Sequence, residues 1–338
     1  MPAANINKVG CIIVFLKIRA RKYKNKRSKE TLSTINTYQP VDYTRAVVQP
    51  LPNQAWHDKD VFVDVLRLDL IHPVLSGNKW FKLKYHLQQA RQDQKKGILT
   101  FGGAYSNHLV ATAIACRLEG LAAIGIVRGE PAAPLSHTLR EAQDYGMQLQ
   151  FLSRAAFIDE QAMMAAMEQA NPGYLVVPPG GQSEAGIRGS AEILSLTDQA
   201  PYTHIACAVG TGTMFTGIVK SLLPHQHALG ISSLKIADRA DNSLLSLVKA
   251  HTPSRSFTFL YNYHFGGYAR KNSTLIAFMN DLFQAQGLKT DFVYTGKLMY
   301  GINDLIHNDY FTGEARILAI HSGGLQGNRS LLPGTLNF

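Results

Sequence analysis

The groups in this sequence whose types and spacing can do chemistry together are one lysine, several hydroxyls on glycine-rich turns and two tyrosines. Lys79 stands in Ser76-Gly77-Asn78-Lys79-Trp80-Phe81-Lys82-Leu83. A lysine at a strand-to-helix junction can act as a Schiff-base nucleophile when its surroundings lower its pKa. Gly210-Thr211-Gly212-Thr213-Met214, within a stretch that runs to Gly217, opens a helix. Backbone N–H groups and hydroxyls at a helix start make an anion site, and this one suits a phosphate monoester. A Walker loop is excluded because no Gly-Lys-Ser/Thr follows. A dinucleotide site built on Gly210-x-Gly212 and Asp238 remains an alternative, although Gly217 does not complete the GxGxxG spacing. Ser106-Asn107-His108 begins another helical stretch, where a capped N-terminus can receive a carboxylate or a ring oxygen. Tyr294 leads Tyr294-Thr295-Gly296-Lys297, and Tyr268 ends the loop Phe265-Gly266-Gly267-Tyr268. The run Gly181 to Gly186 is one residue too long for a nucleophile elbow. Each feature alone has a plain explanation: a solvated lysine among 34 basic residues, a helix cap, a turn.

The elements that must position these groups follow from the apolar pattern. Strands are predicted over 61–68, 98–101, 122–127, 148–152, 174–177, 204–209, 233–237, 257–261 and 316–320. Helices are predicted over 82–94, 107–118, 136–145, 155–169, 184–196, 214–223, 244–250, 274–286 and 297–307. Regular strand–helix alternation argues an α/β fold with parallel sheets. In such sheets ligands bind beyond the carboxyl ends of strands. Four of those ends run into turns that carry glycines and hydroxyls, starting at Gly102, Pro178, Gly210 and His321.

Composition narrows the function classes. The chain has 338 residues, 46% hydrophobic and 17% charged, with a net charge of +10. Residues 1–30 hold nine Lys/Arg and one acid, Glu30, so the remaining 308 carry 25 basic and 23 acidic groups. The basicity is a tail rather than a face, which argues against nucleic-acid binding by the body. The apolar run 9–16 is too short to span a bilayer. It precedes the basic cluster 17–29, the reverse of a secretory signal. No membrane partner is expected. Three cysteines, Cys11, Cys116 and Cys207, give neither a disulfide framework nor metal spacing, which suits a reducing cytoplasm. The 12 histidines contain no HExxH pair, so no metal is expected.

Taken in order, Gly-Asn-Lys (77–79) with Lys-Leu (82–83), Gly-Gly-x-x-Ser-Asn (102–107), the Gly/Thr loop, Tyr-x-Gly-Lys (294–297) and His-x-Gly-Gly (321–324) form a specific set. From about residue 48 to 330 the sequence resembles the 1-aminocyclopropane-1-carboxylate deaminase / D-cysteine desulfhydrase family. These are pyridoxal-phosphate enzymes of fold type II, tryptophan-synthase-β-like. The resemblance implies two open, twisted parallel-sheet lobes: a large cofactor-binding domain of residues 46–82 and 186–338, and a small domain of residues 83–185. Residues 1–45 are expected as a tail.

Residue by residue, the resemblance implies that Lys79 carries pyridoxal 5'-phosphate and moves the substrate proton. Gly210, Thr211, Gly212, Thr213 and Met214 would hold the phosphate. Asn107 would bond the ring hydroxyl, and Ser322 would face the pyridine nitrogen. Ser106, Asn107 and His108 would receive the carboxylate of a small amino acid, with Ser106 near Lys79. Tyr268 and Tyr294 would line the reacting side. A cytoplasmic homodimer is expected.

Four departures bear on the substrate. Thr295 stands where deaminase-like members carry the Glu that pairs with the pyridine nitrogen. His108 replaces a glutamine, Phe81 replaces an arginine, and Leu325-Gln326-Gly327 replaces the usual Ala-Pro after Gly324. A hydroxyl cannot stabilise a pyridinium as a carboxylate can. The expected reaction is therefore α,β-elimination, with ring-opening deamination as the alternative.

Overall fold

The structure, a computed structural model, describes residues 39–236 and 243–338. The basic tail with Cys11, and Asp238 of the dinucleotide alternative, lie outside them. The described residues divide into two compact units. One comprises Pro40–Tyr85 and Gly180–Phe338, the other His86–Pro179.

The larger unit is built on a six-stranded sheet. Its strands are β1 (Val48–Pro50), β2 (Val61–Arg67), β7 (His204–Val209), β8 (His227–Ser232), β9 (Phe257–Leu260) and β10 (Ala315–His321), in the order β1-β2-β10-β7-β8-β9. All neighbours are parallel except β1, which runs antiparallel to β2. Both faces are covered. Along β10, Leu318 and Ile320 join a core with Leu66, Cys207 and Phe215. The alternate residues Ile317 and Ala319 join a second core with Val63, Leu298 and Ile302. Continuous burial of successive residues is the expected pattern of a parallel sheet between helical layers.

The helices of this unit are α1 (Gln54–His57), the start of α2 (Asn78–Gln92), α6 (Glu184–Ala191), α7 (Thr213–Lys220), α8 (Ser243–His251), α9 (Ser273–Gln286) and α10 (Thr295–His307). The chain joins the body earlier than predicted. Residues 40–45, expected in the tail, include a 3₁₀ turn at Tyr43–Arg45. They are tied down by Asp42 N–H to Ile71 O (2.9 Å) and by Trp80 Nε1–H to the Tyr43 hydroxyl (2.6 Å).

The other unit has four parallel strands, β3 (Gly97–Gly102), β4 (Ala122–Arg128), β5 (Gln148–Leu152) and β6 (Tyr174–Val177), in the order β5-β4-β3-β6. With them go the later turns of α2, α3 (Asn107–Leu118), α4 (His137–Asp144) and α5 (Glu160–Ala170). Leu99, Phe101, Ile124 and Ile126 pack with Met163 and Met167 of α5.

Several elements differ from the sequence prediction, among them β1 and α1, which were not foreseen, and the helix expected over 184–196, which ends at Ala191 before a 3₁₀ turn. The strand expected at 233–237 lies at His227–Ser232 instead. The helix expected over 155–169 is broken into a 3₁₀ turn and α5, because the Asp159 side chain accepts from Ala162 N–H at 2.9 Å and starts a new helix. No helix among the described residues is long and apolar enough to cross a membrane.

Candidate active site

Lys79 lies in the first turn of α2, not ahead of it. The turn before it is fixed by backbone. Gly77 has φ +64°, its N–H donates to Leu68 O (2.8 Å), and Asn78 N–H donates to Ser322 O (3.2 Å). Lys79 Nζ donates to Asn78 Oδ1 (2.7 Å) and sits 5.8 Å from the centre of the Tyr294 ring. Burial lowers its pKa to about 8, and the charge of Asp291 pulls it partly back up. The amine is thus far closer to its nucleophilic form at neutral pH than a solvated lysine.

Lys82 is one turn further, on the same helix face. It is 5% exposed. Burial, and then the charge of Lys79, lower its pKa to about 7. Its Nζ lies 3.4 Å from Thr211 Oγ1, and Thr211 Oγ1 lies 3.0 Å from Thr213 Oγ1. Close helix packing brings these groups together. A Cβ on Gly189 of α6 would meet Phe81 O of α2 at 1.8 Å, and one on Gly217 of α7 would meet Ser190 Cβ of α6 at 2.5 Å. Only glycine lets both helices approach α6 this closely.

The 210–214 loop has the form of an anion cradle. Gly212 adopts the left-handed region (φ +83°) and precedes α7, whose first turn receives no side-chain cap. Among the described residues no side chain caps that turn, so its first N–H groups are left for another acceptor. Thr213 and Met214 are buried in this turn. Gly210 lies beneath the Tyr294 ring, where a Cβ would come within 3.2 Å of Cε1.

Tyr294 is held through its backbone by Asp291. This carboxylate is fully buried and accepts from the N–H groups of Val293 (2.9 Å), Tyr294 (2.8 Å) and Thr295 (3.0 Å), and from Thr295 Oγ1 (2.7 Å). Asp291 is the functional cap of α10. Burial raises the Asp291 pKa, against the pull of these hydrogen bonds. Burial, reinforced by Tyr268, raises the Tyr294 phenol well above its ordinary value, so it stays protonated at neutral pH. The Tyr268 ring meets Tyr294 edge-on at 6.1 Å between centres.

Ser322 follows β10 and is 5% exposed. Its carbonyl is taken by Asn78, and its hydroxyl has no hydrogen-bond partner among the described residues. His321, just before it, lies between two acceptors: Nε2 is 2.7 Å from Lys289 O and Nδ1 is 3.2 Å from Asp69 Oδ1. Asp69 is also held by Arg67 through two bonds, at 2.8 and 2.7 Å.

Ser106, Asn107 and His108 are carried by the 86–179 unit. Ser106 occupies the N-cap position of α3, yet its side chain makes no capping bond. The His108 side chain turns inward, away from the helix start. It is 3% exposed, with Nε2 3.0 Å from Thr100 Oγ1. Thr100 Oγ1 gives its own proton to Val177 O (2.9 Å), so His108 Nε2 is the donor between them. At the helix start His108 offers a ligand only its backbone N–H.

Sequence reasoning missed Asp291, and it named Lys82 and Lys297 within motifs without giving either a role. Each reads as one more surface charge until its burial is known. Among the described residues no three His, Cys, Asp or Glu side chains converge as a metal site.

The chain is 28% identical over 297 residues to a protein of Pyrococcus abyssi named a putative 1-aminocyclopropane-1-carboxylate deaminase, covering 83% of this chain and 89% of that one. It is 25% identical over 318 residues to a D-cysteine desulfhydrase of Klebsiella pneumoniae, covering 87% and 93%. A crystal structure described as an ACC deaminase homologue superimposes with a TM-score of 0.71 over 84% of this chain and 90% of that one, at 24% identity. The profile of the pyridoxal-phosphate dependent enzymes matches residues 63–323, a span that includes Lys79 and the 210–214 loop, and the chain belongs to this family.

Proposed function

We propose that the protein catalyses α,β-elimination from a small amino acid, D-cysteine in the first place, with release of pyruvate, ammonia and sulfide. The larger unit's residues fit pyridoxal phosphate. A lysine with a lowered pKa, an uncapped helix start with two threonine hydroxyls and Lys82, and the unengaged hydroxyl of Ser322 supply the donors its aldehyde, phosphate and ring nitrogen need. When bound, the cofactor supplies the electron sink for a carbanion at Cα. The dinucleotide alternative gives way to the family membership.

In this reading Lys79 holds the cofactor and takes the substrate proton at Cα. Thr211, Thr213, Lys82 and the N–H groups of the 210–214 loop hold the phosphate. On the 86–179 unit, Ser106, Asn107 and the His108 N–H are assigned to the substrate carboxylate, and Asn107 also to the ring hydroxyl. Tyr294 and Tyr268 face the reacting side. A phenol more basic than the departing thiolate donates a hydrogen bond to it and keeps its proton.

The observation that carries the choice of reaction is the engagement of Thr295. Thr295 is 1% exposed and its hydroxyl is bonded to Asp291, and that carboxylate is itself consumed by the start of α10. Neither can serve as the anionic partner of a pyridine nitrogen, which leaves neutral Ser322. A neutral partner makes a weaker sink, sufficient where a good leaving group such as thiolate departs from Cβ. Opening a cyclopropane has no comparable leaving group. The second reading, deamination of 1-aminocyclopropane-1-carboxylate, draws on the name of the Pyrococcus relative.

Keto-acid release from D-cysteine, β-chloro-D-alanine and 1-aminocyclopropane-1-carboxylate, measured side by side, tests the proposal. Faster pyruvate than 2-oxobutyrate is expected. The reverse order would refute the pyridine-partner argument. No release from any of them would favour a family member that binds without turnover.

A further inference from the structure

The Tyr-Thr-Gly-Lys stretch contains a buried charge that the chemistry above does not use. Lys297 is fully buried (0% exposed), yet it is a lysine. Burial lowers its pKa to about 8, with Asp291 pulling it back up. Its Nζ donates to two backbone carbonyls, His264 O at 2.8 Å and Gly267 O at 2.8 Å. Sinking an amine into a core to reach two carbonyls of one loop is costly, so the loop is where its purpose lies.

That loop has an unusual backbone. Phe265 (φ +52°), Gly266 (+94°), Gly267 (+122°) and Ala269 (+53°) all lie in the left-handed region. Phe265 and Ala269 do so at a steric cost that a non-glycine residue seldom bears. Tyr268 sits within this run and is 51% exposed. A tyrosine so exposed is not fixed by its own burial. Beyond the edge contact and the hydroxyl hydrogen bond it shares with Tyr294, its position is inherited from the backbone on either side. The two carbonyls that Lys297 grips also accept the loop's own turn bonds, Gly267 N–H to His264 O (3.0 Å) and Arg270 N–H to Gly267 O (3.1 Å). Lys297 therefore pins the acceptor at each turn that brackets Tyr268.

We propose that Lys297 is a positioning residue: from within the core it holds the 264–269 loop in its left-handed conformation and so sets Tyr268 against Tyr294. The inference rests on the reading of Tyr268 as a substrate-facing residue. The first turn of α10 then serves both tyrosines. Asp291 fixes Tyr294 through its N–H, and Lys297 fixes Tyr268 through the loop.

The test uses the cofactor-loaded protein and Lys297→Met, which keeps length and volume and removes every donor. Its first readout is independent of activity. Arg270 and Lys271 are exposed directly after the loop, so limited trypsinolysis, followed by mass analysis of the fragment ending at Arg270, reports loop order. At least tenfold faster cleavage is expected in the variant, with the visible absorption retained because Lys79 is untouched. The second readout is a double-mutant cycle with Tyr268→Ala. Lys297→Met is expected to lower kcat/KM at least tenfold in the Tyr268 protein and less than twofold on the Tyr268→Ala background.

Unchanged cleavage at Arg270 would overturn the proposal, as would equal losses in both backgrounds. Should Lys297→Met fail to fold, Lys297→Gln, which retains an N–H donor on a shorter arm, is expected to give intermediate cleavage; wild-type cleavage there would equally overturn it. If the wild-type protein releases no keto acid, the functional reading fails by itself, and the cleavage rates still decide the role of Lys297.

Discussion

Replacing Lys82 by methionine should make the cofactor-free protein more stable while weakening its hold on pyridoxal phosphate. Lys82 is 5% exposed, and its pKa falls from 10.5 to about 7. At ~1.4 kcal/mol per pKa unit, the cost of keeping this amine charged in the fold is at most about 5 kcal/mol. Local relaxation recovers part of that cost, so a gain of ~1–3 kcal/mol is expected from an apolar side chain of similar volume. The sign with pH follows from the depressed pKa. Below about pH 7 folded and unfolded chains both carry the proton, and the whole penalty is present. Between pH 7 and the unfolded value of 10.5 the folded chain sheds its proton first, and the penalty fades.

Calorimetry at pH 6 should therefore show a melting temperature higher by roughly 3–8 °C in the variant, and the difference should shrink by pH 9.5. The same change removes a charge-assisted bond to phosphate worth ~1.5–3 kcal/mol. Spectrophotometric titration should then give a Kd for pyridoxal phosphate roughly 10–100-fold weaker. A variant less stable than wild type at pH 6, or one that binds the cofactor with unchanged affinity, would refute the assignment of Lys82 to the phosphate.

Three further outcomes are expected. Trapping of added pyridoxal phosphate by borohydride should fall on Lys79, with a rate that rises through about pH 8 and then levels off; a rise continuing toward pH 10.5 would mean the lysine is solvated. Asp291→Asn forfeits acceptors for buried N–H groups at the start of α10 and should cost ~1–3 kcal/mol in chemical denaturation. It should also move the midpoint of the Lys79 reaction lower, because Asp291 now holds that pKa up. Tyr294→Phe should abolish most keto-acid release while leaving the visible absorption in place, and loss of the absorption instead would make Tyr294 a cofactor ligand.

Much of the fold was legible because parallel strands buried on both faces leave continuous apolar runs, as in β7 and β10. What was missed has local causes. Strand β8 reads His227-Ala-Leu-Gly-Ile-Ser, with a glycine in its middle. That glycine is demanded by the Phe215 ring, which a Cβ would meet at 2.7 Å. The packing that requires Gly230 also erased the signal of the strand. β1 is three residues long and ends in proline, so it carries no alternation to read.

At the site, Lys79 and the glycine loops could be singled out because their motifs are local. Asp291 and Lys297 were not, since a buried charge and a solvated one are spelled alike. The inward turn of the His108 side chain was hidden for the same reason, since its place after Ser106-Asn107 gives no sign that the imidazole meets Thr100.

The strand order of the larger sheet also dictates when it can be completed. β10 lies between β2 and β7, and Val63 pairs with Ile317, about 250 residues later in the chain. During synthesis β2 and β7 emerge without the strand that joins them, and each exposes an open edge and an apolar face until β10 arrives. The four strands of the 86–179 unit have all their partners within that segment and can associate much sooner. The inserted unit is thus expected to be native while its host is still incomplete. The turns at Gly77 and Ser322, which come together only through β2 and β10, are among the last features to form. Competence to bind the cofactor would then report the finished chain, and holdase chaperones or slow-edge aggregation would act on the larger unit rather than on its insert.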